Sequence, residues 1–94
     1  MELKDTIEMM QSSDYKKRFK AEYQQLKIRV QKLNNMLTKY KAGTLDFTPT
    51  CSYEMLYRQL VHMTDYLSDL EKRATEEKIN LLWLNNGAPE AANQ

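Results

Sequence analysis

The chain has 94 residues, of which 29% are charged, yet its formal net charge is only +1, and it holds two glycines, two prolines, one cysteine and one histidine. A length of this order makes a single domain with a thin private core, and the scarcity of Gly and Pro beside abundant Leu, Lys, Glu, Gln and Met favours helices over strands. Lone Cys51 and lone His62 exclude an internal disulfide and a zinc-ligand set, no apolar run approaches the roughly 20 residues of a membrane span, and the acidic start MELKDTIEMM lacks a signal peptide's basic flank, so a cytosolic protein is expected.

In chain order, Leu3, Ile7 and Met10 share one helical face and predict a short amphipathic helix over residues 1–11. Ser12 and Ser13 then offer hydroxyl caps, with Asp14 at the positive end of the dipole, for a second helix over 14–42. Its apolar positions, Phe19, Tyr23, Leu26, Val30, Leu33, Leu37 and Tyr40, alternate spacings of four and three, a heptad seam that stops at Gly43. Residues 43–52 (GTLDFTPTCS) read as an extended connector whose Leu45 and Phe47 pack back onto the helices. Hydroxyls around Thr50 and Ser52 open a third helix over 53–85 with seam Tyr53, Leu56, Leu60, Met63, Leu67, Leu70 and Ala74. The same register continues to Leu81 and Leu84, interrupted by Glu77, before Asn86 and Gly87 stop it; residues 86–94 form a flexible tail.

Two long helices joined by so short a connector form an antiparallel hairpin, so the expected fold is all-α, a short N-terminal helix plus a long hairpin. Ile28, Met36, Tyr57, Val61, Tyr66, Leu82 and Trp83 lie beside the seams, more apolar surface than one hairpin can cover, which predicts a symmetric homo-oligomer. The small net charge hides a segregation: residues 15–41 carry nine cations against one anion, Glu22, a net of +8. Acidic and basic helices pairing across a bundle would account for this, and so would a reserved phosphate site.

Catalytic groups are not in evidence. His62 falls in the middle of the third helix, where a surface or interface role fits, and Cys51 beside a helix start reads as packing at a junction. Asp65 and Asp69, one turn apart, are solvating charges, and no glycine-rich phosphate loop or metal-ligand motif occurs. What remains is tyrosines interleaved with cations. Nucleotides need flat groups for stacking and positive donors for phosphate oxygens. Tyr15 and Arg18 share a helix face, Arg18, Gln25, Lys32 and Lys39 form a stripe beside the seam, the start of the second helix offers backbone N–H groups to an anion, and the hairpin brings Tyr15 and Arg18 toward Arg73. The alternative is that Tyr15 extends the core while the lysines solvate the surface.

The stretches SDYKKRFKAEYQQLK (13–27), AGTLDFTPTC (42–51) and RQLVHMTDYLSDLEKRA (58–74) resemble a family of small phage proteins, the anti-CBASS sponges that sequester cyclic oligonucleotide alarm signals. The resemblance implies a helical protomer assembled into a hexamer that holds cyclic dinucleotides between protomers and cyclic trinucleotides at a separate class of site. It implies no cleavage, and with no cofactor, metal or membrane expected for this chain, the ligand is withheld from the host effector in the host cell cytoplasm. The positions that best match the family's ligand-lining tyrosine and basic side chains are Tyr15, Lys17, Arg18, Lys32 and Arg73. The competing expectation is a small helical nucleic-acid binder or a coiled-coil adaptor.

Overall fold

A computed structural model describes residues 1–81, among which the regular elements are all helices and no strand occurs. A 3-10 turn, Leu3–Thr6, runs into a single α-helical turn, α1 (Ile7–Met10), followed by α2 (Tyr15–Ala42) and α3 (Tyr53–Glu76). No helix among the described residues is long and apolar enough to cross a membrane.

α2 starts at Asp14, whose carboxylate accepts the Lys16 amide at 2.9 Å, while Ser12 Oγ accepts the Asp14 amide at 3.0 Å. The cap is therefore the aspartate, with the serine one step outside it, a correction to the expected serine cap: a carboxylate joins the hydrogen bond to favourable charge at the dipole. At its far end Gly43 takes φ +75°, and the Gly43 and Thr44 amides return to Tyr40 and Lys39. Ser52 caps α3 by accepting the Met55 amide at 3.2 Å.

α3 ends at Glu76, not near residue 85 as the apolar register predicts. Continuation would set the Glu77 carboxylate on the seam. Instead the chain closes with a Schellman motif in which Lys78 N–H bonds to Thr75 at 3.3 Å and Ile79 N–H to Ala74 at 2.8 Å. The left-handed position is filled by Lys78 at φ 57°, an uncommon place for a residue with a Cβ. The turn drops Ile79 and Leu81 into the core beside Ala74. The remainder of the expected helix and the expected tail, residues 82–94, lie outside the described residues.

α2 and α3 pack antiparallel, because Tyr15 meets Glu77, Tyr23 meets Glu71, and Tyr40 meets Tyr53 edge-on at 5.7 Å between ring centroids. The core gathers Phe19, Tyr23 and Leu26 of α2 with Leu70, Ala74, Ile79 and Leu81, and Val30, Met63 and Leu67 close its side. It thus sits toward the end of the hairpin where α2 begins and α3 ends. Tyrosine-to-glutamate bonds flank it. Tyr23 donates to Glu71 at 2.9 Å, Tyr15 donates to Glu77 at 2.8 Å, and Tyr66 donates to Glu22. Tyr23 keeps its apolar ring in the core and its hydroxyl on a charged acceptor, while Tyr15 and Tyr66 make the same bond from the surface.

The N-terminal segment folds back on α2, where Gln25 Nε2 donates to Thr6 Oγ1 at 2.8 Å. Thr6 is buried, and Leu3 and Met9 are half-buried, whereas Ile7 and Met10 are exposed. The predicted Leu3, Ile7, Met10 face is corrected to Leu3, Thr6, Met9. A 3-10 turn has three residues per turn, so positions three apart eclipse one another. In the connector Leu45 is half-buried as predicted, but Phe47 and Cys51 are exposed, against their expected packing.

Candidate functional site: a tyrosine and arginine cluster at the open end of the hairpin

Tyr15 is the first residue of α2 and Arg73 lies in the last turn of α3, so the antiparallel hairpin brings together side chains 58 residues apart. Arg73 Nη2 donates to the Tyr15 hydroxyl oxygen at 2.6 Å, the hydroxyl donates to Glu77 Oε1 at 2.8 Å, and Arg73 Nε donates to Glu77 Oε2 at 3.2 Å. Three polar groups close a ring. Beneath it the guanidinium lies 5.0 Å from the centroid of Phe19, whose ring meets Tyr15 edge-on at 6.2 Å. The buried Phe19 is thus a platform joining the core to the exposed cluster. Tyr15 is 45% exposed, and the Arg73 and Glu77 side chains are 50% and 35% exposed.

The charges tune one another. The hydrogen bond to Glu77, foremost, pushes the Tyr15 phenol above its ordinary value, and the bond from Tyr15, foremost, holds the Glu77 carboxyl below its own. Arg73 is raised further by its bond to Glu77. A second pair, Tyr66 with Glu22, raises the Tyr66 phenol through that hydrogen bond.

The five predicted site residues do not form one cluster. Tyr15 and Arg73 meet. Arg18 Nη1 instead donates to the Ser12 carbonyl at 2.9 Å, tying the start of α2 to the segment before it. Lys17 lines a separate hollow with Asp5, Glu8 and Ser12. Lys32 lies 17 residues along α2 from Tyr15, about 25 Å by helical rise, in a hollow with Lys39, Asp46 and Phe47 at the connector end. The stripe through Gln25 is also broken, since Gln25 sits half-buried under the N-terminal segment and bonds to Thr6. Nor is the α2 N-terminus an open anion trap, because the Asp14 carboxylate already caps it.

Glu77 and Phe19 are the members of the cluster that sequence reasoning did not place there. Glu77 had a signal, as the charge that interrupts the apolar register of α3. Phe19 is a seam residue by spacing, and nothing in the spacing reveals that its ring carries a guanidinium. His62 is exposed, as predicted. Among the described residues no group of His, Cys, Asp and Glu is arranged to hold a metal ion.

A family profile described as Sequestin matches residues 13–76. The chain belongs to the Sequestin family. The Sequestin span encloses all three stretches that resemble the anti-CBASS sponges and includes Tyr15, Phe19 and Arg73, while Glu77 falls one residue beyond it. Neither the curated proteins nor the solved structures give a match.

Proposed function

We propose that this protein is a non-enzymatic sponge that binds cyclic di- and trinucleotide immune signals in the host cytoplasm and withholds them, uncleaved, from their CBASS effectors. The observation that carries the reading is the Sequestin match over 13–76, a span that holds a surface Tyr15 and Arg73 on a phenylalanine platform. The pairing suits the ligand. A guanidinium donates two parallel N–H groups to phosphate oxygens, and an exposed tyrosine ring stacks on a base. Lys17, Arg18 and Lys32 complete the proposed ligand set, and because one chain holds them apart they would converge only across copies. A homo-oligomer, with the hexamer as the assembly proposed, supplies that convergence. Its support is the apolar surface left on the two flanks of the α3 seam, Met55 and Tyr66 on one side and Tyr57 and Val61 on the other, which are 62%, 45%, 51% and 39% exposed.

Calorimetry with cyclic GMP-AMP and cyclic tri-AMP tests the reading, followed by denaturation and mass measurement of the released ligand. Binding with recovery of intact ligand is expected, and Arg73→Ala or Tyr15→Ala should weaken cyclic dinucleotide binding by about tenfold, the scale of a lost hydrogen bond to a charged group. A protein that ignores the whole panel is not this sponge, and recovered fragments would make it an enzyme. The net +8 of residues 15–41 favours a second reading, a nucleic-acid binder. Its mark would be affinity for a DNA or RNA duplex that collapses with rising salt, as counterion release requires.

A further inference from the structure

The ring formed by Tyr15, Arg73 and Glu77 has an anion already in it. Glu77 presents its two oxygens to two different donors, Oε1 to the Tyr15 hydroxyl at 2.8 Å and Oε2 to Arg73 Nε at 3.2 Å. Two oxygens on one centre facing a phenol and a guanidinium are the arrangement that a phosphate's non-bridging oxygens would adopt on the same donors. We propose that the Glu77 carboxylate is a built-in counter-anion, occupying the Tyr15 and Arg73 donors until a phosphate-bearing ligand displaces it. This inference rests on the reading of Tyr15 and Arg73 as ligand groups.

The two sides of the ring are held unequally, which is what displacement needs. Arg73 issues from α3 and lies against the Phe19 ring, and Tyr15 is fixed at the first position of α2 with its own edge on Phe19. Both donors therefore keep their places when the carboxylate leaves. Glu77 stands outside α3, at its C-terminal cap, and its side chain is 35% exposed. An exposed ion pair with one rotatable partner is worth little, so one singly charged phosphodiester of a ligand that brings further contacts of its own replaces it at small cost. The carboxylate also neutralises the half-exposed guanidinium while no ligand is present, and it sets a threshold: a metabolite with a single anionic group gains too little to displace it, whereas a ligand with two or three phosphates gains enough.

The test is Glu77→Gln, which keeps the shape of the side chain and removes its charge, compared with Glu76→Gln, the same charge change one residue earlier on an exposed side chain. Two readouts are taken. In calorimetry with cyclic GMP-AMP, E77Q should bind about two- to fivefold more tightly than the wild type, the range of an exposed ion pair, with E76Q close to wild type. Without any ligand, modification of Arg73 by phenylglyoxal, followed by peptide mass measurement, should run faster in E77Q and not in E76Q. Equal or weaker cyclic GMP-AMP binding by E77Q overturns the proposal, since it would mean that Glu77 itself contacts the ligand or stands aside from it. An unchanged Arg73 modification rate overturns it independently. If neither protein binds any cyclic oligonucleotide while E77Q still exposes Arg73 to the reagent, the proposed function falls and the counter-anion is supported.

Discussion

Glu77 does different work according to its protonation. As a carboxylate it accepts from both Tyr15 and Arg73, and the bond from Tyr15 is the leading reason its carboxyl lies below the ordinary 4.5. A carboxyl depressed in the folded state contributes stability that is complete above the unfolded value and lost as pH falls through the folded one. The ring should therefore persist at pH values where an ordinary glutamate is half protonated, and open below them. At the alkaline side Tyr15, raised above 10.0, keeps its proton past the point where an ordinary phenol loses it, and its contribution is lost as pH rises through that raised value. Carbon-detected NMR titration of the Glu77 carboxyl checks the acid limb. A midpoint at or above the ordinary value would show that the ring does not form in solution. Because the group is exposed, the associated change in overall stability is expected to be small.

At the scale of the elements, the end of α3 is the instructive case. A seam that reads Leu70, Ala74, then Glu77 breaks the apolar pattern at one position, and the chain reverses there instead of tolerating a charge over the core. Lys78 takes the left-handed conformation so that Ile79 and Leu81 can be buried, at 6% and 9% exposure. A residue with a Cβ in that conformation costs about 1 kcal/mol or more, offset in part by the smaller freedom it has when unfolded. Lys78→Gly should consequently raise stability, by up to about 1 kcal/mol, read as a higher urea midpoint at unchanged slope. A lower midpoint would mean that the lysine side chain contributes contacts that outweigh its strain. At the opposite terminus Leu3, Thr6 and Met9 face α2, not the Leu3, Ile7 and Met10 that α-helical spacing predicts, because a 3-10 turn precedes α1, and tightness of that kind leaves no periodicity that four residues can display.

For the whole molecule the weightiest feature is the apolar surface left uncovered on both flanks of the α3 seam. Met55, Tyr57, Val61 and Tyr66 protrude although α2 already covers the seam between the helices, so a second copy is the proposed cover. Native mass spectrometry should find a multiple of the 11.2 kDa protomer, with six copies as the expected assembly. Val61→Glu, a charge placed on that 39% exposed position, should shift the distribution toward smaller species while leaving the helical signal intact. A wild-type protein that is monomeric at high concentration would leave Lys17 and Lys32 without any route to the cluster of Tyr15 and Arg73, and the sponge reading with it.

The sequence alone determined that two long helices form, the extent of α2, the seam of α3 as far as Ala74 and the cap signals at Gly43 and Ser52, because these follow from local rules: apolar residues at heptad spacing, a hydroxyl before a helix, a glycine after one. It also pointed to the meeting of Tyr15 with Arg73, since a hairpin with a short connector leaves the outer ends of its helices no other partner. Tertiary structure alone decided that Phe19 carries the guanidinium, that Glu77 fills the donors, that the N-terminal segment covers Gln25, and that Lys17, Arg18 and Lys32 stand apart. Each of these depends on which residues distant in the chain, or on different faces, come within a few ångströms. Spacing along one helix gives direction about its axis, but what occupies that direction is supplied by the rest of the fold.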